Sequence, residues 1–273
     1  RTMNINNLIR VEENKIKLPK LGWVKFKKSR EIKGNIKSIT ISKNILGKYY
    51  ISVLCETEIK PLPNNSNKIG IDLGLKEFCI TSNNQFIPNH KYLRKSELRL
   101  QREQRRLSRR KKGSNRRFKQ QKRVFKIHQR IRNQRLDFLH KLSSKLISEN
   151  QVICLEDLKV KNMIKNHKIS KSISDVSWSK FVEILKYKSL WYGRTLVQIN
   201  QFFPSSKRCN SCGWKNEELK LSDRVFRCKK CGMERDRDFN ASLNILREGL
   251  KILENRRNGE DSSVNLQTRV CIT

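Results

Sequence analysis

Acidic residues are scarce in this chain. Twenty-five Asp and Glu stand against sixty-two Lys and Arg in 273 residues, a formal charge of +37. A folded chain tolerates such an imbalance best beside a polyanion, and nucleic acid is the partner expected. Long apolar runs are lacking too. None approaches the roughly 18 residues that span a bilayer, and the basic residues do not flank an anchor, so no membrane association is expected. No signal peptide is recognisable, and Cys55, Cys79, Cys154 and Cys271 are scattered singly. A disulfide framework is therefore not expected, and the reading is a reducing, cytoplasmic compartment, nucleoid-associated if nucleic acid is the partner. The first Met stands at position 3, and the start of the gene is expected upstream.

The other four cysteines are organised. Cys209-Asn-Ser-Cys212 and Cys228-Lys-Lys-Cys231 are separated by fifteen residues, with Gly213 and Gly232 directly after each pair. Paired CxxC turns place four thiolates where one tetrahedral ion can collect them, and the glycines let the backbone fold over it. The pattern predicts a zinc ribbon holding one structural Zn²⁺, with Trp214 and Phe226 packed around it.

Taken in order, residues 1–60 read as strands, with Trp23–Phe26, Ile36–Ile41 and Tyr49–Leu54 rich in β-branched and aromatic residues and a hairpin turn at Asn44–Lys48. Pro61–Asn67 breaks all periodicity and reads as a linker. Lys68–Gly74 is a short apolar strand with Asp72 at its centre, followed by a strand at Glu77–Thr81. From Lys91 to Asn150 helix formers dominate, interrupted at Gly113-Ser-Asn115, which predicts a helical hairpin over 90–150. Between Arg94 and Arg135 nineteen Lys and Arg stand against two acids, Glu97 and Glu103, a local balance of +17. A charge run is usually a solvated face; one this one-sided fits a phosphate backbone better. Arg105, Arg106, Arg109, Arg110, Arg116, Arg117, Lys122, Arg123 and Arg130 are the candidate contacts. Val124, Ile127, Ile131, Phe138, Leu142 and Leu146 form one apolar stripe on the second helix. Gln151–Leu158 is a buried-type strand ending in Glu156 and Asp157. Lys159–Ser177 reads as a polar, basic loop, Trp178–Tyr192 as a helix and Thr195–Phe203 as a strand. A last helix opens near Asp238, and residues 255–273 read as a disordered tail.

An aspartate inside an apolar strand needs a reason, since an unpaired buried carboxylate is costly. For Asp72 that reason is a metal ion, a nucleotide phosphate held over a glycine hairpin as in actin-like ATPases, or simple exposure at a strand end. Asp238 alone could be no more than a helix cap.

The combination is more specific than its parts. Ile69-Gly-Ile-Asp-Leu-Gly74, Leu155-Glu-Asp-Leu158, Lys161-Asn-Met163, Pro204-Ser-Ser206, Cys209-x2-Cys212-Gly and Arg237-Asp-Phe-Asn-Ala241 resemble the TnpB (OrfB) proteins of insertion sequences. The resemblance spans residues 15–250. It implies an α/β chain in which an RNase H-like (RuvC) nuclease domain over 68–254, with the helical-hairpin insertion and an inserted zinc ribbon at 205–235, follows partial β-barrel strands at 1–60 and the linker 61–67. It implies an RNA-guided DNA endonuclease of a transposable element, with target DNA and a guide RNA from the transposon end as partners and a prokaryotic host. Asp72, Glu156 and Asp238 match the three nuclease acids, which would hold two Mg²⁺ roughly 4 Å apart. Asp157 and Asp236 are assigned supporting or capping roles. Family members carry further N-terminal residues, so the chain is expected to be truncated. The alternative from the binding class is a non-cleaving DNA- and RNA-binding accessory of the element. An actin-like ATPase is disfavoured by the charge and by the lack of a second glycine-rich phosphate loop.

Overall fold

The computed structural model describes residues 2–5, 10–167, 169–220 and 222–258. The expected disordered tail lies outside the described residues from 259 onward. The chain divides into two compact units: residues up to 60 with 100–129, and 61–99 with 130 onward.

Among the described residues the first unit holds six strands where sequence patterning predicts three. They are β1 (Thr2–Ile5), β2 (Arg10–Glu12), β3 (Lys15–Leu18), β4 (Gly22–Lys25), β5 (Asn35–Lys43) and β6 (Tyr49–Glu56). They pair as two antiparallel sheets, β1-β5-β6 and β2-β3-β4. The unforeseen strands are three or four residues long, and in β3 lysines alternate with Ile16 and Leu18, so too few apolar residues mark them. Those two side chains are nonetheless buried with Ile39 at the centre of this unit's strand core. The β5–β6 turn closes as expected, with the Asn44 N–H donating to Lys48 O and Gly47 at φ +81°.

Two helices follow, α1 (Tyr92–Ser108) and α2 (Asn115–Glu149). The bend between them uses Gly113 at φ +80°. It is fastened by the Arg117 guanidinium, which donates to Leu107 O (2.9 Å) and Arg110 O (3.1 Å). Gln120 adds bonds to the Glu103 carbonyl and carboxylate.

The second unit is built on one five-stranded sheet. Its strands are β7 (Lys68–Leu73), β8 (Glu77–Thr81), β9 (Phe86–Pro88), β10 (Val152–Glu156) and β11 (Thr195–Ile199), in the order β11-β10-β7-β8-β9. β7, β10 and β11 run parallel, while β8 and β9 return antiparallel. Side chains alternate across a strand, and the sheet uses both faces. Ile69, Ile71, Ile153 and Leu155 pack in one core with Leu139, Leu142 and Leu146 of α2 and Phe181, Ile184 and Leu185 of a later helix. Val152, Cys154, Val197 and Ile199 pack with Ile245, Leu246 and Leu250 of the final helix.

Residues 159–177 are not the loop that their lysines suggest. They form α3 (Val160–Met163) and α4 (Ser170–Val176). Ile173 and Val176 are buried, and Asp175 accepts from the Leu93 N–H and from Arg135 at 2.7 Å. The apolar residues Ile169, Ile173 and Val176 carry a helical spacing that the surrounding charge hides. α5 (Trp178–Tyr192) follows as expected and ends at Gly193, φ +65°. β11 stops at Ile199, short of Phe203, because the chain turns at Asn200, whose side chain accepts from the Phe202 N–H. β12 (Val225–Arg227) and β13 (Glu234–Asp236) form a two-stranded ribbon, and α6 runs from Arg237 to Arg257. The 61–67 segment is anchored within this unit: Arg194 donates to Pro63 O and Ile147 O, and Asn67 to Glu149 O. No helix of the described residues is long and apolar enough to cross a membrane.

Candidate active site and metal centre

Three of the acids singled out from sequence come together through register. β7 and β10 are parallel neighbours with Ile71 opposite Leu155, so the next residues along, Asp72 and Glu156, stand side by side at the strands' C-terminal ends, about 4.8 Å apart in backbone spacing. Both belong to the face that α6 covers. There Gly70 lets the helix approach closely: a Cβ at this position would lie 2.2 Å from Ser242 O and 2.7 Å from Leu246 N. Asp72 is two residues past Gly70 and Asp238 four residues before Ser242. Those steps rise about 6.6 Å along a strand and about 6 Å along a helix, which delivers both acids to the same level.

The electrostatics agree. Burial first, then the charges of Glu156 and Asp238, raises the Asp72 pKa well above the usual carboxylate range, with Arg237 acting in the opposite sense. Asp72 keeps partial access to solvent, yet its carboxyl makes no protein hydrogen bond among the described residues. Burial also raises Glu156, moderated by the hydroxyl of Ser205, which donates to its carboxylate.

Asp236 and Asp238 divide the labour at the head of α6. Asp236 is the N-cap, its Oδ1 accepting from the N–H of Asp238 (3.0 Å) and Phe239 (2.9 Å). Asp238 is thereby relieved of capping. Its Oδ1 accepts instead from Arg237 Nε (2.9 Å) and Nη2 (2.7 Å), and Arg224 Nη1 lies 3.6 Å from its Oδ2. Asp157 lies apart from this group, paired with Lys159 and taking a bond from Gln198.

Ser205 and Asn240 fall within the resembling motifs with no role attached, and Asn244 lies just beyond them. The two asparagines are buried on α6. Asn240 and Asn244 donate to Arg208 O, Asn244 also to Ser205 O, and Asn240 accepts from the Asn210 N–H. They stitch the chain entering the cysteine ribbon to the helix that carries Asp238. Amides at i and i+4 beside Ala241 and Ile245 were the available signal, since buried polar side chains need partners.

The four cysteines are also brought together, with all four Sγ atoms within 4.8 Å of one another. Cys209 and Cys231 are 3.7 Å apart and Cys212 and Cys228 3.5 Å. A tetrahedron with metal–sulfur bonds of about 2.3 Å requires about 3.8 Å. Each CxxC pair closes a turn of the same form, with the Gly213 N–H donating to Cys209 O and the Gly232 N–H to Cys228 O. Burial acts upward on the Cys228 thiol, but hydrogen bonds from the backbone N–H of Cys231 and Lys230 and from the Cys212 and Cys231 thiols together outweigh it and take the pKa down to about 6. Phe226 is fully buried against this site, with Trp214 and Met233 around it. A donor set of four thiolates suits zinc. Among the described residues these cysteines are the one group of three or more His, Cys, Asp or Glu gathered closely enough to hold a metal; the acids sense one another at longer range.

Comparison with known proteins places these features together. Residues 50–167 match the OrfB_IS605 family model, described as "Probable transposase", and residues 178–245 match the "Cas12f1-like, TNB domain" model. A Streptomyces pristinaespiralis protein named "Putative RNA-guided DNA endonuclease" is 43% identical over 213 residues, covering 78% of this chain and 53% of that protein. Over these stretches the chain is similar to OrfB-type transposases. A second relative, the Escherichia coli protein named "Putative RNA-guided DNA endonuclease InsQ", is 33% identical over 258 residues, covering 89% of this chain and 64% of that protein. The chain thus spans 53% and 64% of the lengths of these two relatives. A cryo-EM structure of a CRISPR-Cas12f ternary complex superposes with TM-score 0.49 and 18% identity, covering 77% of this chain and 45% of that one.

Within this chain the basic candidates are mostly where a polyanion could reach them. Arg105, Arg106, Arg109, Arg110, Arg116, Arg123 and Arg130 are exposed. Arg106 also pairs with Glu103 at 3.0 Å. Lys122 is half-buried, its Nζ 4.4 Å above the Phe118 ring. Arg117 differs from the expectation: its guanidinium serves the α1–α2 bend.

Proposed function

We propose that this chain is the nuclease-bearing portion of an RNA-guided, Mg²⁺-dependent DNA endonuclease of a TnpB-type element, with guide RNA and target DNA as its partners. The observation that carries this reading is the convergence of Asp72, Glu156 and Asp238 on one face of the sheet, at the C-terminal end of its parallel strands. The strand order, three antiparallel strands followed by two added parallel to the first, supports assigning the second unit to the RNase H-like (RuvC) class. The donor chemistry fits as well, since carboxylate oxygens are the hard ligands that Mg²⁺ takes while keeping several waters. Two such ions, when bound, would activate a water and stabilise charge on the attacking and leaving oxygens of a phosphodiester. Asp72, Glu156 and Asp238 would hold them. Ser205 orients Glu156, Asp236 fixes the head of α6, and Gly70 seats that helix so that Asp238 reaches the strand acids. The four cysteines would hold one structural Zn²⁺, which keeps the ribbon folded beside that same helix. The exposed arginines of α1 and α2 supply contacts to phosphates that bind without reading sequence.

The test is cleavage of a target plasmid with the cognate transcript and Mg²⁺, comparing wild type with Asp72→Ala, Glu156→Ala and Asp238→Ala. Each substitution should abolish cutting and leave nucleic-acid affinity nearly intact, and a double substitution should cost little more than a single one because the ligands act as a unit. Binding without any cutting in wild type, with or without the guide, would favour the accessory-protein reading instead.

A further inference from the structure

We infer that Arg237 is a built-in competitor for a cation: its guanidinium forks onto the Asp238 carboxylate and must give way for a divalent ion to take that oxygen. The inference rests on the proposed reading of the three acids as a metal site and goes further by assigning a role to the arginine beside them.

The pairing is not a helix-surface default. Neighbouring residues at i and i+1 on a helix do not face each other, yet Arg237 puts both Nε (2.9 Å) and Nη2 (2.7 Å) on Asp238 Oδ1. Backbone arrangement makes this possible. The Arg237 N–H is bound to Arg224 O at 2.8 Å, and Asp236 takes the amides that an Asp at the head of a helix would otherwise cap. The Asp238 carboxylate is therefore left to find a cationic partner. It finds two, because Arg224 approaches its other oxygen at 3.6 Å.

The need for a cation is local. Asp72, Glu156, Asp236 and Asp238 crowd one end of the sheet, and their mutual repulsion is felt at Asp72, where Arg237 is the charge acting against it. The Arg237 side chain is 13% exposed and that of Asp238 23%, so the pair is screened less than a surface pair. A guanidinium held in this way competes directly with a metal ion for the same oxygen.

The experiment is titration of the zinc-loaded chain with Mn²⁺, followed by loss of the free-ion electron paramagnetic resonance signal, using Asp72→Asn to define binding elsewhere on the protein. Arg237→Gln should bind Mn²⁺ about tenfold more tightly than wild type, equivalent to about 1.4 kcal/mol. Arg237→Lys keeps the charge but loses the forked donor geometry, so it should fall between the two. A merely structural role for Arg237 would leave affinity unchanged or weaken it, and either result in folded Arg237→Gln overturns the inference while leaving the metal reading intact. Lysine behaving as wild type would also overturn it, since charge alone would then explain the effect. Wild type and Arg237→Gln binding no more Mn²⁺ than Asp72→Asn would remove the metal site itself and the inference with it.

Discussion

Gly70→Ala tests the seat of α6 on the sheet with a single methyl group. The new Cβ would meet Ser242 O at 2.2 Å, the Leu246 Cβ at 2.7 Å and the Leu246 N at 2.7 Å. Two of these are backbone atoms of a helix and cannot rotate away, so α6 must withdraw by about 1 Å to restore ordinary contact. Overpacking of a well-filled site costs about 1–3 kcal/mol, and with backbone on one side the upper end applies. For a unit of this size that is a fall in melting temperature of about 6–12 °C. Ser242 is one helical turn from Asp238, so the displacement reaches the acid, and a misplacement of about 1 Å can cost about 100-fold in rate. Gly249→Ala is the matched control. Its Cβ would lie 2.4 Å from Cys154 Sγ, a comparable clash eleven residues and about 16 Å along the helix from Asp238. Thermal melts and plasmid cleavage on both variants separate stability from positioning: both should melt earlier, and Gly70→Ala should lose far more cleavage for the same loss of stability. Wild-type melting and cleavage in Gly70→Ala would refute the argument that this contact sets the height of Asp238.

Asp72→Asn should stabilise the zinc-loaded, Mg²⁺-free chain at neutral pH by about 1 kcal/mol, because it removes a half-buried carboxylate without a hydrogen-bond partner among the described residues. The Asp72 pKa is raised in the folded state, so the wild-type penalty is absent below the unfolded value of about 3.9 and grows as pH rises through the folded one; melts across pH should diverge in that direction, and equal melts at neutral pH would refute it. Elemental analysis should find close to one zinc per chain, with Cys228→Ser losing it and exposing Phe226 to quencher; retention of zinc by this variant would argue against four-cysteine ligation. Charge reversal of Arg105, Arg106, Arg109 and Arg110 together should weaken binding to all nucleic-acid sequences and flatten the slope of log affinity against log salt. An unchanged slope would mean that these side chains make no phosphate contacts.

Local chemistry was legible from sequence wherever it was dense. The paired CxxC turns sit within one short span, so ligand spacing alone specifies a closed four-thiolate site. The end of α5 at Gly193, the α1–α2 bend at Gly113 and the β5–β6 turn at Gly47 follow from glycines that act over a few residues. Patterning failed where elements were short or masked by charge: β1 to β3 offer three or four residues each, and lysines hide the apolar spacing of Ile169, Ile173 and Val176 around α4. Arg117 read as one cation among many, because a sequence does not say which guanidinium has backbone carbonyls within reach. The three acids could be named in sequence as candidates, Asp72 and Asp238 each with a bland alternative beside it. The resemblance already set Asp238 among the acids and Asp236 in a supporting or capping role; tertiary structure supplies the geometry, with Asp236 capping α6 and Asp238 accepting from Arg237, since that depends on where a helix lands on a sheet. The landing is set by parallel register between β7 and β10 and by the missing side chain at Gly70, contacts between residues up to 176 positions apart in the chain, where no local pattern reaches.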